Sequence, residues 1–300
     1  MEIALGLYEK AIPSGLSWQQ MLLAAKTAGF DQLEISIDES NSRLSRLDWT
    51  QQQCASLRRD MDLIGLPVRT MCLSGHRKYP FGSHDPATRQ RSLDIMRKAV
   101  DLACELGIRL IQLAGYDVYY EIGDEQTRAW FVENLGRAVD YAARCGVVLG
   151  FETMETPFMD TITKGMTYVK ALQSPYLGMY PDLGNLTNAC YFYHTDICRE
   201  IQAGADHCFA MHLKETVEGV YRDMDFGTGR VNFVQGVRHA MDIGVRLFTA
   251  ECWHDGREDW PRRLAEINRF LRDSIRQAQL LPAAPQAHSL TSLRKEVMYA

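Results

Sequence analysis

Apolar residues along this chain fall into short continuous runs, separated by longer stretches in which they recur at helical spacing. One junction repeats: a helical run, a glycine, then an apolar run. It reads KTAGFDQLEISI, DLIGLPVRTMCL, CELGIRLIQLA, ARCGVVLGFE and MDIGVRLFTAE, with the glycines at Gly29, Gly65, Gly107, Gly146 and Gly244. Successive gaps are 36, 42, 39 and 98 residues, the last fitting two units with one missed signal between them. Glycine just past a helix takes the left-handed conformation without a Cβ clash, so each junction is expected to close a helix and open a strand.

The stretches between have helical period. Ser17 and Gln20 form a capping box ahead of Trp18, Met21, Leu22 and Ala25. Two more stripes are Leu93, Met96, Val100, Ala103 and Phe131, Leu135, Ala138, Ala142. Eight apolar runs lie near residues 3–8, 31–37, 68–74, 109–115, 147–152, 177–182, 208–213 and 247–252. They are apolar on both faces, as parallel strands covered by helices are. Each precedes a helical segment, the last near 259–280. Eight such units predict a single-domain (β/α)8 TIM barrel over residues 1–280. The remaining 281–300, with Pro282, Pro285 and SLTSLRKEVMYA, read as a C-terminal tail. A doubly wound open sheet is the alternative, but no G-x-G-x-x-G follows the first strand.

Composition narrows the setting. Hydrophobic residues make up 46% and charged residues 24%, ordinary for a globular protein. No apolar run is long enough to span a membrane, and the opening MEIALGL reads as a strand rather than a signal peptide, so a cytoplasmic location is expected. The eight scattered cysteines are expected to be reduced thiols. A net charge of −5 gives no general attraction to nucleic acid or to an anionic membrane, and neither is an expected partner.

Active sites of such barrels lie where strands end, so the polar residues closing the apolar runs carry the chemistry. Runs five to eight end at Glu152, Asp182, His212 and Glu251, spaced 30, 30 and 39 residues apart. Barrel closure brings all four to one half of the same mouth. Any one of them alone reads as a solvated loop residue, and Asp182 as the start of a turn. Three carboxylates and an imidazole on consecutive strands instead suit one divalent ion, Zn²⁺ or Mn²⁺.

A second signal is basic. The loop after strand three, LSGHRKYPFGS, carries Ser74, His76, Arg77 and Lys78; Glu9 and Lys10 follow strand one, and Lys214 follows His212. Basic groups and hydroxyls beside an anionic ligand cage call for an anion, and the phosphate of a small-molecule sugar phosphate would serve. The opposing reading leaves Arg77 and Lys78 pointing into water. Glu155, in FETMETP, either touches substrate or caps the segment after it, and the phenols of YDVYY at 116–120 either cover a sugar or pack.

On GLYEKA, ISIDESNSRLSRLDW, MCLSGHRKYPFGS, IMRKAV, IQLAGYDVYY, YPDLGN, MHLKET and AECW the chain resembles the L-ribulose-5-phosphate 3-epimerase (L-xylulose-5-phosphate 3-epimerase) family over about residues 3–275. That family belongs to the xylose-isomerase-like barrels and acts in L-ascorbate and pentose breakdown. The resemblance implies an isomerase with one metal held by Glu152, Asp182, His212 and Glu251, and implies that Glu152 and Glu251 double as acid–base residues. It implies C3 deprotonation and reprotonation through a cis-enediolate, and it admits a homodimer. Two positions depart from the related free-ketose epimerases: Asn185 stands where they carry histidine, and Glu218 where they carry arginine. An inosose-type dehydratase on the same barrel is the alternative activity. An endonuclease IV-like phosphodiesterase is more remote, since it expects a richer histidine cluster and a basic face. A sugar-binding module without catalysis would not need four metal ligands.

Overall fold

The computed structural model describes residues 2–283. The strands are β1 (Ala4–Tyr8), β2 (Gln32–Ile37), β3 (Val68–Leu73), β4 (Leu110–Ala114), β5 (Val148–Glu152), β6 (Leu177–Met179), β7 (Met211–Leu213) and β8 (Leu247–Ala250). All pair in parallel in the order β6-β5-β4-β3-β2-β1-β8-β7. Parallel bridges Met179↔Cys208 and Asp182↔His212 join the two ends, so the sheet closes into a ring rather than remaining a doubly wound layer.

The outer layer holds α1 (Trp18–Thr27), α2 (Asn41–Leu44), α3 (Gln51–Ile64), α4 (Pro86–Leu106), α5 (Glu125–Arg144), α6 (Ile162–Leu172), α7 (Leu183–Tyr193), α8 (Ile197–Ala203), α9 (Phe233–Asp242) and α10 (Trp260–Leu280). The Ser17–Gln20 capping box forms at the start of α1 as its sequence requires, and a second, Thr50–Gln53, starts α3. Long α10 buries Leu264, Ile267, Leu271, Ile275 and Ala278, one apolar stripe against the sheet. Among the described residues, no helix is long and apolar enough to cross a membrane. Residues 284–300 of the expected tail lie outside the described residues.

All five junction glycines have positive φ, between 67° and 98°. The gap of 98 residues holds three units rather than two. Its two silent junctions use non-glycine residues in the left-handed region, Gln173 (φ 48°) after α6 and Asp206 (φ 67°) after α8. A glycine rule cannot see them, because here residues with a Cβ take the left-handed conformation, at a local steric cost of roughly 1–2 kcal/mol that the rest of the fold offsets.

Candidate active site

Four strand ends deliver the expected residues to one place. Glu152 is the last residue of β5, Asp182 the N-cap of α7, His212 lies within β7, and Glu251 follows β8 directly. Glu152 and Glu251 retain 4% and 6% exposure, Asp182 and His212 none. Glu152, His212 and Glu251 each offer one ligand atom within 4.8 Å of the others. His212 Nδ1 lies 3.3 Å from Glu251 Oε2 and 3.9 Å from Glu152 Oε1.

Asp182 stands outside that tight set. Its Oδ1 accepts the Asn185 N–H at 2.6 Å, capping α7, so the turn-forming role and the site role coexist in one carboxylate. Its Oδ2 is buried without a partner. Lys214, expected at the substrate, lines the cavity and also puts Nζ between Asp182 Oδ1 (3.3 Å) and Glu251 Oε2 (3.1 Å).

The strand-end rule passed over a further shell. Glu34, inside β2, places Oε1 2.6 Å from His212 Nε2, and its Oε2 accepts the Tyr180 hydroxyl at 2.9 Å. Gln112, inside β4, donates to the Tyr180 carbonyl at 3.3 Å and lies 3.1 Å from His212 Nδ1. Gly150 makes room: a Cβ there would stand 2.8 Å from the Tyr180 Cβ. The signal available was a charged or amide side chain interrupting an otherwise apolar run, in QLEISI and LIQLA.

The donor set fits a divalent cation. With their carboxylates ionised, Glu34, Glu152, Asp182 and Glu251 bring four negative charges, against at most one positive charge each on Lys214 and His212. Two remain unmet in a buried region, where isolated charge is costly, and Asp182 Oδ2 lacks any donor. An imidazole held at Nε2 by a carboxylate, with Nδ1 facing two more, is a usual metal-ligating arrangement.

The electrostatics divide the two glutamates. Burial first, then the neighbouring Glu251 carboxylate, pushes Glu152 up to about 8. Burial would raise Glu251 too, but the Lys214 ammonium and His212 hold it well below the usual carboxylate range. Burial raises Asp182 to about 6, against the pull of Lys214. Burial opposes charge on His212, yet Glu34 and Glu251 lift its proton affinity well above the ordinary value. The same basicity makes it a strong cation ligand.

Above this cluster opens a cavity of 460 Å³ lined by Lys10, Ser74, Arg77, Glu155 and Lys214 among others. His76 does not line it, which corrects the expectation that it meets substrate. Its ring is buried, with Nε2 3.1 Å from the Ser92 carbonyl and the ring centroid 4.4 Å from that of Phe81. A residue one position along a tight 3₁₀ turn from Arg77 points to a different side. Lys10 Nζ is 2.5 Å from Asp38 Oδ2, and Arg77 lies 3.9 Å from Glu155 and stands over the Tyr116 and Tyr119 rings. Glu155 in turn accepts from the Tyr116 hydroxyl at 2.6 Å and Tyr119 at 3.3 Å, so these phenols shape the wall. Asn185 lines the cavity, while Glu218 faces Arg230 at 3.9 Å.

Residues 22–274 match the family described as xylose isomerase-like TIM barrel, and the chain belongs to it. Within that family it is an epimerase, an enzyme of the isomerase class. It is 40% identical over 284 residues to L-ribulose-5-phosphate 3-epimerase UlaE of Salmonella paratyphi A, covering 94% of this chain and 99% of that one. The enzyme of the same name from Escherichia coli is equally similar, at 40% identity over 94% and 99%. Among solved structures, D-psicose 3-epimerase with D-tagatose from Clostridium cellulolyticum H10 superposes with a TM-score of 0.77 at 17% identity, over 91% of this chain and 99% of that one. At that identity the likeness concerns the fold.

Proposed function

We propose that this protein is a cytoplasmic, metal-dependent 3-epimerase that interconverts L-ribulose 5-phosphate and L-xylulose 5-phosphate. The observation that carries the reading is the pair Glu152 and Glu251 converging on His212, with ligand atoms within 4.8 Å of one another, in a chain 40% identical to L-ribulose-5-phosphate 3-epimerases. Glu152, Asp182, His212 and Glu251 are the residues that would hold one divalent ion, Zn²⁺ or Mn²⁺. Such an ion, when bound, supplies Lewis-acid stabilisation of the negative charge that develops on O2 and O3 of the sugar.

The chain's own groups move the protons. A C3 hydrogen of a ketose is acidic because the adjacent C2 carbonyl accepts the electron pair, giving a cis-enediolate. Epimerisation then needs one base on each face of C3. Glu152 and Glu251 enter from β5 and β8, three strands apart around the ring. Without a metal, burial and the Glu251 carboxylate raise Glu152, while Lys214 and His212 hold Glu251 low, so the two carboxylates stand in different surroundings. Lys214 holds the Glu251 carboxylate in place and in its charged form. Lys10, Ser74, Arg77 and Glu155 line the cavity above and are proposed to contact the sugar phosphate.

Solvent-exchange NMR tests the reading. Metal-loaded enzyme in D₂O is expected to incorporate deuterium at C3 of L-ribulose 5-phosphate and to yield L-xylulose 5-phosphate. Absence of exchange at C3 removes the proposal, and loss of water from the sugar would favour a dehydratase.

A further inference from the structure

Two thiols meet at the end of the barrel opposite the site. Cys104 lies in the last turn of α4, just ahead of the junction Gly107 that leads into β4. Cys145 caps the C-terminus of α5, directly before Gly146 and β5. Gly107 borders an opening framed by the first residues of three strands, Leu110, Val148 and Leu247. Glu152 and Glu251 stand at the other ends of β5 and β8, so this thiol pair lies away from the reaction.

The contact is direct. The Cys104 sulfur lies 3.7 Å from the Cys145 carbonyl oxygen, and the two thiols hydrogen-bond to each other. About one turn earlier on each helix the Tyr141 hydroxyl donates to Asp101 Oδ1 at 2.6 Å, which holds α4 and α5 in register. Both cysteines are partly exposed, so a small molecule in solvent can reach them. The other sulfurs are placed differently. Cys198 faces the His239 ring at 2.7 Å and Cys208 the Ala210 carbonyl at 3.6 Å, while Cys54, Cys72, Cys190 and Cys252 are buried.

The pair is also asymmetric. Burial first, then the neighbouring Cys104, raises the Cys145 thiol above its ordinary value, so Cys145 rests protonated. Arg109 Nη1 lies 3.8 Å from the Cys104 sulfur, placed to meet negative charge that develops there. Cys104 is therefore the sulfur that attacks first and Cys145 the one that resolves.

We propose that Cys104 and Cys145 form a reversible disulfide that staples α4 to α5 and responds to the thiol–disulfide balance around the protein. The Cys104 thiolate attacks one sulfur of a low-molecular-weight disulfide such as glutathione disulfide, forming a mixed disulfide and releasing one glutathione thiolate. Cys145 gives its proton to solvent and attacks the Cys104 sulfur, which releases the second. Two protein thiols and one glutathione disulfide thus become one protein disulfide and two glutathione thiols. The bridge joins positions 41 residues apart and restricts the unfolded chain accordingly.

The test equilibrates the full-length, metal-loaded protein in buffers of varied reduced-to-oxidised glutathione ratio, followed by acid quench, thiol blocking and tryptic mapping without reductant. Oxidising ratios are expected to link the peptides 99–109 and 145–164, each of which holds one cysteine. The melting temperature is expected to rise by about 5–10 °C, and dithiothreitol to reverse both changes. Cys104→Ser and Cys145→Ser are each expected to lose the rise, and Cys104→Ser to carry no glutathione on Cys145. Thiols that stay free at the most oxidising ratio, or a mixed disulfide that never resolves, overturn the proposal in the wild-type protein itself. A linked pair without a rise in melting temperature, or an equal rise in Cys104→Ser, overturns the staple.

Discussion

His212 Nε2 lies 2.6 Å from Glu34 Oε1, two fully buried side chains 178 positions apart in the chain. The Gln112 amide donates to the Tyr180 carbonyl and approaches Nδ1 of the same ring at 3.1 Å. A carboxylate at Nε2 favours the proton there, and with a cation bound Nδ1 would be the ligand atom, on the side of Glu152 and Glu251. Removing the carboxylate charge while keeping its shape isolates this effect. Glu34→Gln is expected to weaken Zn²⁺ or Mn²⁺ binding by about 10- to 100-fold, read by competition against a chelator. Unaltered affinity in a folded variant would show that Glu34 does not orient the imidazole.

The two glutamates should be individually indispensable. Glu152→Gln and Glu251→Gln are each expected to lower kcat by more than about 100-fold at saturating metal, because each removes a proton-transfer group. Asp182→Asn and His212→Ala should act mainly on metal affinity. Near-normal C3 exchange in either glutamine variant with metal bound would refute the two-base assignment.

Metal removal should separate activity from folding. The barrel core lies around and below the mouth, so the apoprotein is expected to keep its far-ultraviolet dichroism and lose its epimerase activity. Its melting temperature should rise on adding back the ion, since a ligand that binds only the folded state stabilises it. Full turnover in protein verified as metal-free would detach the cluster from the reaction.

His76 gives a pH signature. Burial lowers it from 6.5 to about 4, so the folded state keeps the ring neutral while the unfolded chain protonates it. The unfolded state then binds more protons between these values, and stability falls as pH drops from about 6.5 toward 4. The contribution is on the order of 3 kcal/mol. Denaturant unfolding at pH 7 and pH 4 should show a smaller acid loss in His76→Gln than in wild type. An identical loss would place the acid sensitivity elsewhere.

Much of this molecule was written in local sequence. The five glycine junctions and the Ser17–Gln20 box mark element ends through backbone sterics and nearest-neighbour hydrogen bonds. Glu152, Asp182, His212 and Glu251 were legible because polar residues closing buried strands share one end of any parallel barrel. The silent junctions at Gln173 and Asp206 were not, since residues with a Cβ take the left-handed backbone there at a cost that the rest of the fold offsets.

What tertiary structure alone decided is who meets whom. Glu34 sits mid-strand, and only ring closure brings β2 within reach of β7, converting an oddity in an apolar run into the partner of His212. Arg77 and His76 are adjacent in one basic motif, yet the turn sends one to the cavity and buries the other. Lys10, Arg77 and Lys214 are alike as sequence to Lys78, but folding faces the first three with carboxylates from other elements and gives Lys78 none among the described residues. Net charge at a point depends on distances across the barrel, and a linear sequence orders residues without fixing those distances.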